Sequence, residues 1–142
     1  MGVILDTTIL IAAERGRFDM PAFLTSLEET GVAIAAITAA ELLYGWERAT
    51  TPEVRARRGA FVEGVLAAVP TVPFGLPEAR RHANLWADLA RRGTLIGPHD
   101  LLVAATALAS EFAVATLNRD EFGRVAGLAL VPTERFRLGH AP

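Results

Sequence analysis

The stretch Val3-Ile4-Leu5-Asp6-Thr7-Thr8-Ile9-Leu10-Ile11-Ala12 (VILDTTILIA) decides the fold. Val3, Ile4 and Leu5 form a short, uniformly apolar run, the pattern of a strand buried on both faces of a parallel sheet. Ile9, Leu10, Ala12 and Ala13 then space like a helix. Asp6 stands at the junction, with apolar residues on either side. A carboxylate in such a run costs several kcal/mol unless it is paired, protonated or metal-bound. Open α/β sheets bind their ligands at the carboxyl ends of strands, and Asp6 occupies such an end.

The same pattern recurs along the chain. Residues 32–37 (VAIAAI) read as a second buried strand. Thr38 then has the form of an N-cap, with Glu41 three residues later at the spacing of a capping box. A helix follows through Leu42, Leu43, Tyr44 and Trp46. Earlier, a helix is predicted from Pro21, carrying Phe23, Leu24 and Leu27, as far as Gly31. Pro52 opens a helix over 52–69, with Phe61, Val62, Val65 and Leu66 on one face and Arg55, Arg57 and Arg58 mostly opposite. Residues 70–74 form a short edge strand, since two prolines cannot serve a central one. Helices over 76–92 and 99–110, a buried strand over 112–117 (FAVATL) and a last strand over 128–131 complete the series. This alternation implies an α/β fold in a single domain over 1–142, a parallel sheet flanked by helices on both faces.

Composition narrows the function classes. Of 142 residues, 51% are hydrophobic and 21% charged, enough for a substantial core. The net charge of −2 does not mark a basic nucleic-acid binder. All fourteen basic residues are nevertheless arginine; genome bias is the leading account, ahead of a need for bidentate phosphate contacts. The absence of cysteine excludes disulfides, thiolate catalysis and Cys-based zinc sites. No apolar run reaches the length of a membrane span, and the first residues lack the form of a signal peptide, so a cytoplasmic location is expected.

Acids recur at corresponding places. Asp6 ends the first strand, Glu41 lies in the first turn expected after the second, and Asp100 opens an otherwise apolar helix. Asn118 and Asp120 follow the strand over 112–117. Each has a structural alternative: Glu41 closes a capping box, Asp100 favours a helix dipole, Asn118 and Asp120 are turn residues. Together they describe an all-oxygen donor set, which suits a hard ion such as Mg²⁺ or Mn²⁺. Such an ion prefers phosphate oxygens as its remaining ligands and makes water a better nucleophile toward a phosphodiester.

Four ordered stretches carry a family resemblance: VILDTTILIA, ITAAELLYG with Glu41, IGPHDLLVAATALA with Asp100, and ATLNRDEF with Asn118. The chain resembles the PIN-domain ribonucleases, and more closely the VapC toxins of bacterial type II toxin–antitoxin systems. That resemblance implies a Mg²⁺- or Mn²⁺-dependent endoribonuclease acting on tRNA or rRNA, with Asp6, Glu41 and Asp100 as metal-binding acids and Thr8 and Thr116 in support. It also implies a homodimer and a cognate VapB-type antitoxin, for which Tyr44, Trp46 and Phe61 are candidate contacts.

Asn118 is the departure, because many members of that family carry Asp there and others Asn. Asn adds no charge, so either Asp120 supplies a fourth acid or the site works with three. Arg119, next to this motif, is the first choice among the arginines for an RNA contact. His99 adjoins Asp100 but points elsewhere on its helix, which assigns it a structural role. The competing readings are a non-catalytic PIN-like module that binds RNA or a partner, and a phosphatase-type domain. The latter needs a second Asp two residues after Asp6, where Thr8 stands. A response-regulator receiver needs a lysine, and there is none.

Overall fold

The computed structural model describes residues 2–139. Strands β1 (Val3–Leu5), β2 (Val32–Ala35), β3 (Thr71–Val72) and β4 (Ala113–Ala115) form one parallel sheet in the order β3-β2-β1-β4. The connections are helical: α1 (Thr7–Glu14) and α2 (Met20–Ser26) follow β1, and α3 (Ala36–Glu47) and α4 (Pro52–Ala68) follow β2. The helices α5 (Leu76–Arg91) and α6 (Pro98–Ser110) lie between β3 and β4. A one-turn helix α7 (Arg119–Phe122) and a 3-10 turn (Glu134–Phe136) end the described chain.

Alternation along β1 distributes the core to both faces. Ile4 packs with α5, α6 and Phe122 on one face, while Val3 and Leu5 pack with α1, α2 and α4 on the other. All three strand residues are buried, as an apolar run without polar alternation requires. The chain leaves β1 in one direction, to β2 and β3, and later returns to its opposite side with β4. The carboxyl ends of β1 and β4 therefore form a topological switch point, where such sheets bind ligands. Asp6 lies there.

Three expectations are corrected. The second strand stops at Ala35, and α3 begins at Ala36 rather than after Thr38. The backbone turns as soon as the last pair, Ala35 with Val72, is complete. Thr38 is consequently the third residue of the helix rather than its cap, fully buried, with its Oγ1 unpartnered, and no capping box forms. Glu41 moves from the first helical turn to the second. The predicted strand over 128–131 reduces to one bridge between Leu130 and Val114, because a single pair of backbone bonds joins it to β4. The helix expected from Pro21 to Gly31 closes at Ser26, capped at its start by Asp19 accepting from the Ala22 amide.

Two local contacts fix the scaffold near the site. Gly59 of α4 meets the Trp46 indole of α3 so closely that a Cβ would stand 2.7 Å from the ring. Phe18, Phe23 and Phe136 pack their rings against one another and tie the 3-10 turn to α2. Among the described residues no helix is long and apolar enough to cross a membrane.

Candidate active site

Asp6 is the residue before α1, in extended conformation, and its side chain is 2% exposed. Burial of a carboxylate demands donors, and two threonines provide them. Thr8 Oγ1 donates to Asp6 Oδ2 at 2.7 Å and Thr116 Oγ1 donates to the same oxygen at 2.8 Å. Thr116 Oγ1 also accepts from the Asn118 amide at 2.9 Å, and Thr8 Oγ1 accepts from the Leu117 amide at 3.1 Å. These hydroxyls stitch the end of β4 to the end of β1 and leave the second Asp6 oxygen without a hydrogen bond from them.

Asp100 enters from the first turn of α6, whose following residues Leu101, Val103, Ala104 and Ala105 are buried. That apolar helix anchors the acid at the cleft. Asn118 Nδ2 donates to Asp100 Oδ2 at 2.9 Å and to Glu121 Oε2 at 3.2 Å, so the amide bridges two acids. The Gly97 amide also reaches Glu121 Oε2, at 3.4 Å. Burial pushes the Asp100 carboxyl up to about 7, assisted by its hydrogen bond with Glu121 and by repulsion from Asp6. Glu121 is held below the ordinary range, chiefly by the same hydrogen bond from Asp100. The opposite shifts favour the proton on Asp100 over Glu121, the arrangement expected when two acids crowd one site.

Glu41 approaches from α3. It accepts from Thr7 Oγ1 at 2.9 Å, and its other oxygen lies 3.4 Å from His99 Nδ1. Its partners are thus the sequence neighbours of Asp6 and Asp100, which sets it at the edge of the same cleft. His99 is exposed and braces Glu41, in keeping with a structural role. Among the described residues no three His, Asp or Glu side chains stand close enough, as placed, to enclose one ion. Asp6, Asp100 and Glu121 converge by charge and hydrogen bonding, and Glu41 stands apart.

Asp120 is exposed, whereas Glu121, a residue not singled out in the sequence, joins Asp100 and Asn118. The turn of α7 brings residue i+3, not i+2, back beside Asn118. A helical reading of NRDEF, rather than a turn reading, is the signal that would have found it. Arg119 is exposed, and its guanidinium donates to the Val131 carbonyl at 2.9 Å, which ties α7 to the returning chain. Of the suggested contact aromatics, Tyr44 is well exposed, while Trp46 and Phe61 are half-buried between α3, α4 and the sheet.

Comparison with known proteins follows the same lines. A family model described as the PIN domain matches residues 3–128. Ribonuclease VapC1 of Rickettsia felis is 36% identical over 132 residues, covering 92% of this chain and 96% of that protein. The tRNA(fMet)-specific endonuclease VapC of Salmonella typhimurium is 33% identical over 105 residues, 74% of this chain and 77% of that one. A crystal structure of VapBC-5 from Mycobacterium tuberculosis, a member of the VapBC family of toxin-antitoxin systems, superposes with a TM-score of 0.73. It has 31% identity and covers 92% of this chain and 97% of that one. With a PIN-domain match over most of its length and VapC relatives at 36% and 33% identity, the chain belongs to the PIN-domain family, among its VapC members.

Proposed function

We propose that this protein is a divalent-metal-dependent endoribonuclease, a toxin that hydrolyses RNA phosphodiester bonds and is restrained by a VapB-type antitoxin. The observation that carries this reading is geometric: buried Asp6 at the switch point, with Asp100 and Glu121 bridged by the Asn118 amide beside it. A site that retains a proton to relieve carboxylate repulsion is suited to exchange it for a cation. The donors are all oxygen, which favours Mg²⁺ or Mn²⁺ over softer metals. Asp6, Asp100 and Glu121 would hold the ion, with Glu41 contributing from the facing helix. When bound, it supplies positive charge to the scissile phosphate and makes water nucleophilic at neutral pH.

The chain's own groups supply position. Thr8 and Thr116 fix one Asp6 oxygen and leave the other free of their hydrogen bonds. Asn118 holds Asp100 and Glu121 at a set separation by donating to both. Thr7 and His99 brace Glu41 from either side. These contacts pre-organise the acids before substrate arrives, which spares reorganisation during the reaction.

The named relatives support RNA as substrate, and one of them is specific for tRNA(fMet); we read a tRNA or rRNA loop as the target class and the cytoplasm as the place of action. A homodimer is the assembly we expect. Phe74, His82 and Trp86 contact one another edge to face around the start of α5, with Trp86 55% exposed, and they support such an association. The test is direct. Purified chain, free of antitoxin, is expected to cleave RNA with Mg²⁺ or Mn²⁺ and to stop with EDTA, and Asp6→Asn is expected to be inactive. RNA binding without cleavage under any divalent ion would select the non-catalytic module instead.

A further inference from the structure

Beside the acid site a cleft of about 440 Å³ opens between α1, α3 and α4. Its walls are three helical stripes: Thr7, Ile11 and Glu14; Glu41, Gly45 and Arg48; and Arg58 and Val62 with Arg57 beside them. In each stripe the spacing is three or four residues, so each helix presents one face. Thr7 and Glu41, already joined by a hydrogen bond, form the end nearest the acids. Four arginines, Arg15, Arg48, Arg57 and Arg58, line the same cleft against two acids, Glu14 and Glu41.

These arginines are available for an anion. Among the described residues none of the four forms an ion pair. Arg15, Arg48 and Arg57 are exposed, and Arg58 spends one nitrogen on the Gly45 carbonyl. By contrast, Arg55 donates to the Glu47 and Ala49 carbonyls, Arg92 pairs with Asp88, and Arg119 holds Val131. The floor is apolar, with Leu42 and Val62 buried. A volume of this size lies within the range of about 300–1,000 Å³ for small-ligand pockets. Guanidinium groups above an apolar floor suit a nucleotide, its phosphate gripped in bidentate fashion and its base against the floor.

We infer that this cleft is a flanking-nucleotide subsite: Arg15 and Arg57 grip the backbone phosphate adjoining the scissile bond. An RNA strand that lays one phosphate at Asp6 and Asp100 must continue past Thr7 or leave the surface. The cleft offers it the arginine-rich path. An acidic protein segment is the competing occupant, and the apolar floor alone does not decide between them. Continuity with the acid site favours RNA. The inference rests on the ribonuclease reading above.

The test uses the double variant Arg15→Ala/Arg57→Ala and a short RNA with a single cleavage site. Neither side chain holds another in place, so the variant is expected to melt with the wild type. Its kcat/KM is expected to fall about tenfold, mostly through KM, the loss of one to two charge-assisted contacts. The dependence of log(kcat/KM) on log salt should become shallower by about 0.7 for each phosphate no longer met. A second measurement does not depend on the variant: an uncharged methylphosphonate is placed at the linkage on either side of the cleavage site in turn. At one of these positions it should slow the wild type by a similar factor and the variant no further. Equal rates and equal salt slopes would overturn the inference, as would a methylphosphonate that is harmless at both positions. A variant that cleaves normally but escapes its co-expressed antitoxin would assign the cleft to a protein and overturn it too. If the wild type cleaves no RNA with Mg²⁺ or Mn²⁺, the ribonuclease reading fails and this one falls with it.

Discussion

Replacing Asp100 by asparagine separates the charge of this side chain from its shape. Protonated Asp100 accepts from Asn118 and donates toward Glu121. An asparagine amide can do both, so the substitution imitates the protonated acid at every pH. The carboxyl is pushed up to about 7 from an ordinary 3.8. For a raised carboxyl the contribution to stability is fully present below 3.8 and is lost as pH rises through about 7. That gap corresponds to ~4 kcal/mol for a fully enclosed group. Asp100 is only half-buried, so solvent screening removes much of this. Glu121, shifted in the opposite direction, offsets more.

A net gain of about 1–2 kcal/mol remains for Asp100→Asn above the upper pKa, or about 3–6 °C in Tm for a domain of this size. The assay is thermal unfolding with EDTA, at about pH 8.5 and at about pH 3.5, on either side of the titration. The variant is expected to melt higher at the alkaline pH and together with the wild type at the acid one, while losing RNA cleavage. Added Mn²⁺ should raise the Tm of the wild type and not that of the variant. A variant no more stable than wild type at pH ~8.5, or equally stabilised at both pH values, would refute the crowded-carboxylate account.

The remaining expectations concern individual contacts. Glu121→Gln is expected to lower cleavage by about 10²-fold or more, as loss of a group held at the reacting centre does, while Asp120→Asn leaves it unchanged; the reverse order in single-turnover assays would restore the sequence-based assignment. Thr116→Val removes a fully buried hydroxyl that serves both Asp6 and the Asn118 amide, at a cost of about 1–3 kcal/mol in denaturant titration, with Thr116→Ser recovering most of it. Gly59→Ala pushes a methyl against the Trp46 indole and is expected to destabilise by about 1–3 kcal/mol, whereas Gly64→Ala, with nothing within 4 Å, should be neutral or mildly stabilising.

Much of the site was legible because buried parallel strands leave a strong local trace. The runs VIL and FAVATL are apolar on both faces, and an acid or amide at the end of such a run has few purely structural explanations. Asp6, Asp100 and Asn118 are therefore marked by local pattern, Thr8 and Thr116 by the family resemblance, and the structure brings all five into one hydrogen-bonded cluster. Glu41 was legible as a residue but not as a contact. Its cap-like spacing from Thr38 was a local coincidence, and its partners Thr7 and His99 come from distant helices.

The sequence by itself determined the alternation of buried strands and helices, and the acids that end or open them, because periodicity and the cost of burying charge act over a few residues. Tertiary structure alone decided the sheet order β3-β2-β1-β4, which sets β1 beside β4 and creates the switch point at Asp6. It decided equally that Glu121, not Asp120, shares the Asn118 amide with Asp100, since that depends on the phase of a single helical turn against α6. Strand pairing and helix phase are fixed by contacts between residues far apart in the chain, as Thr116 is from Asp6, and no local pattern encodes them.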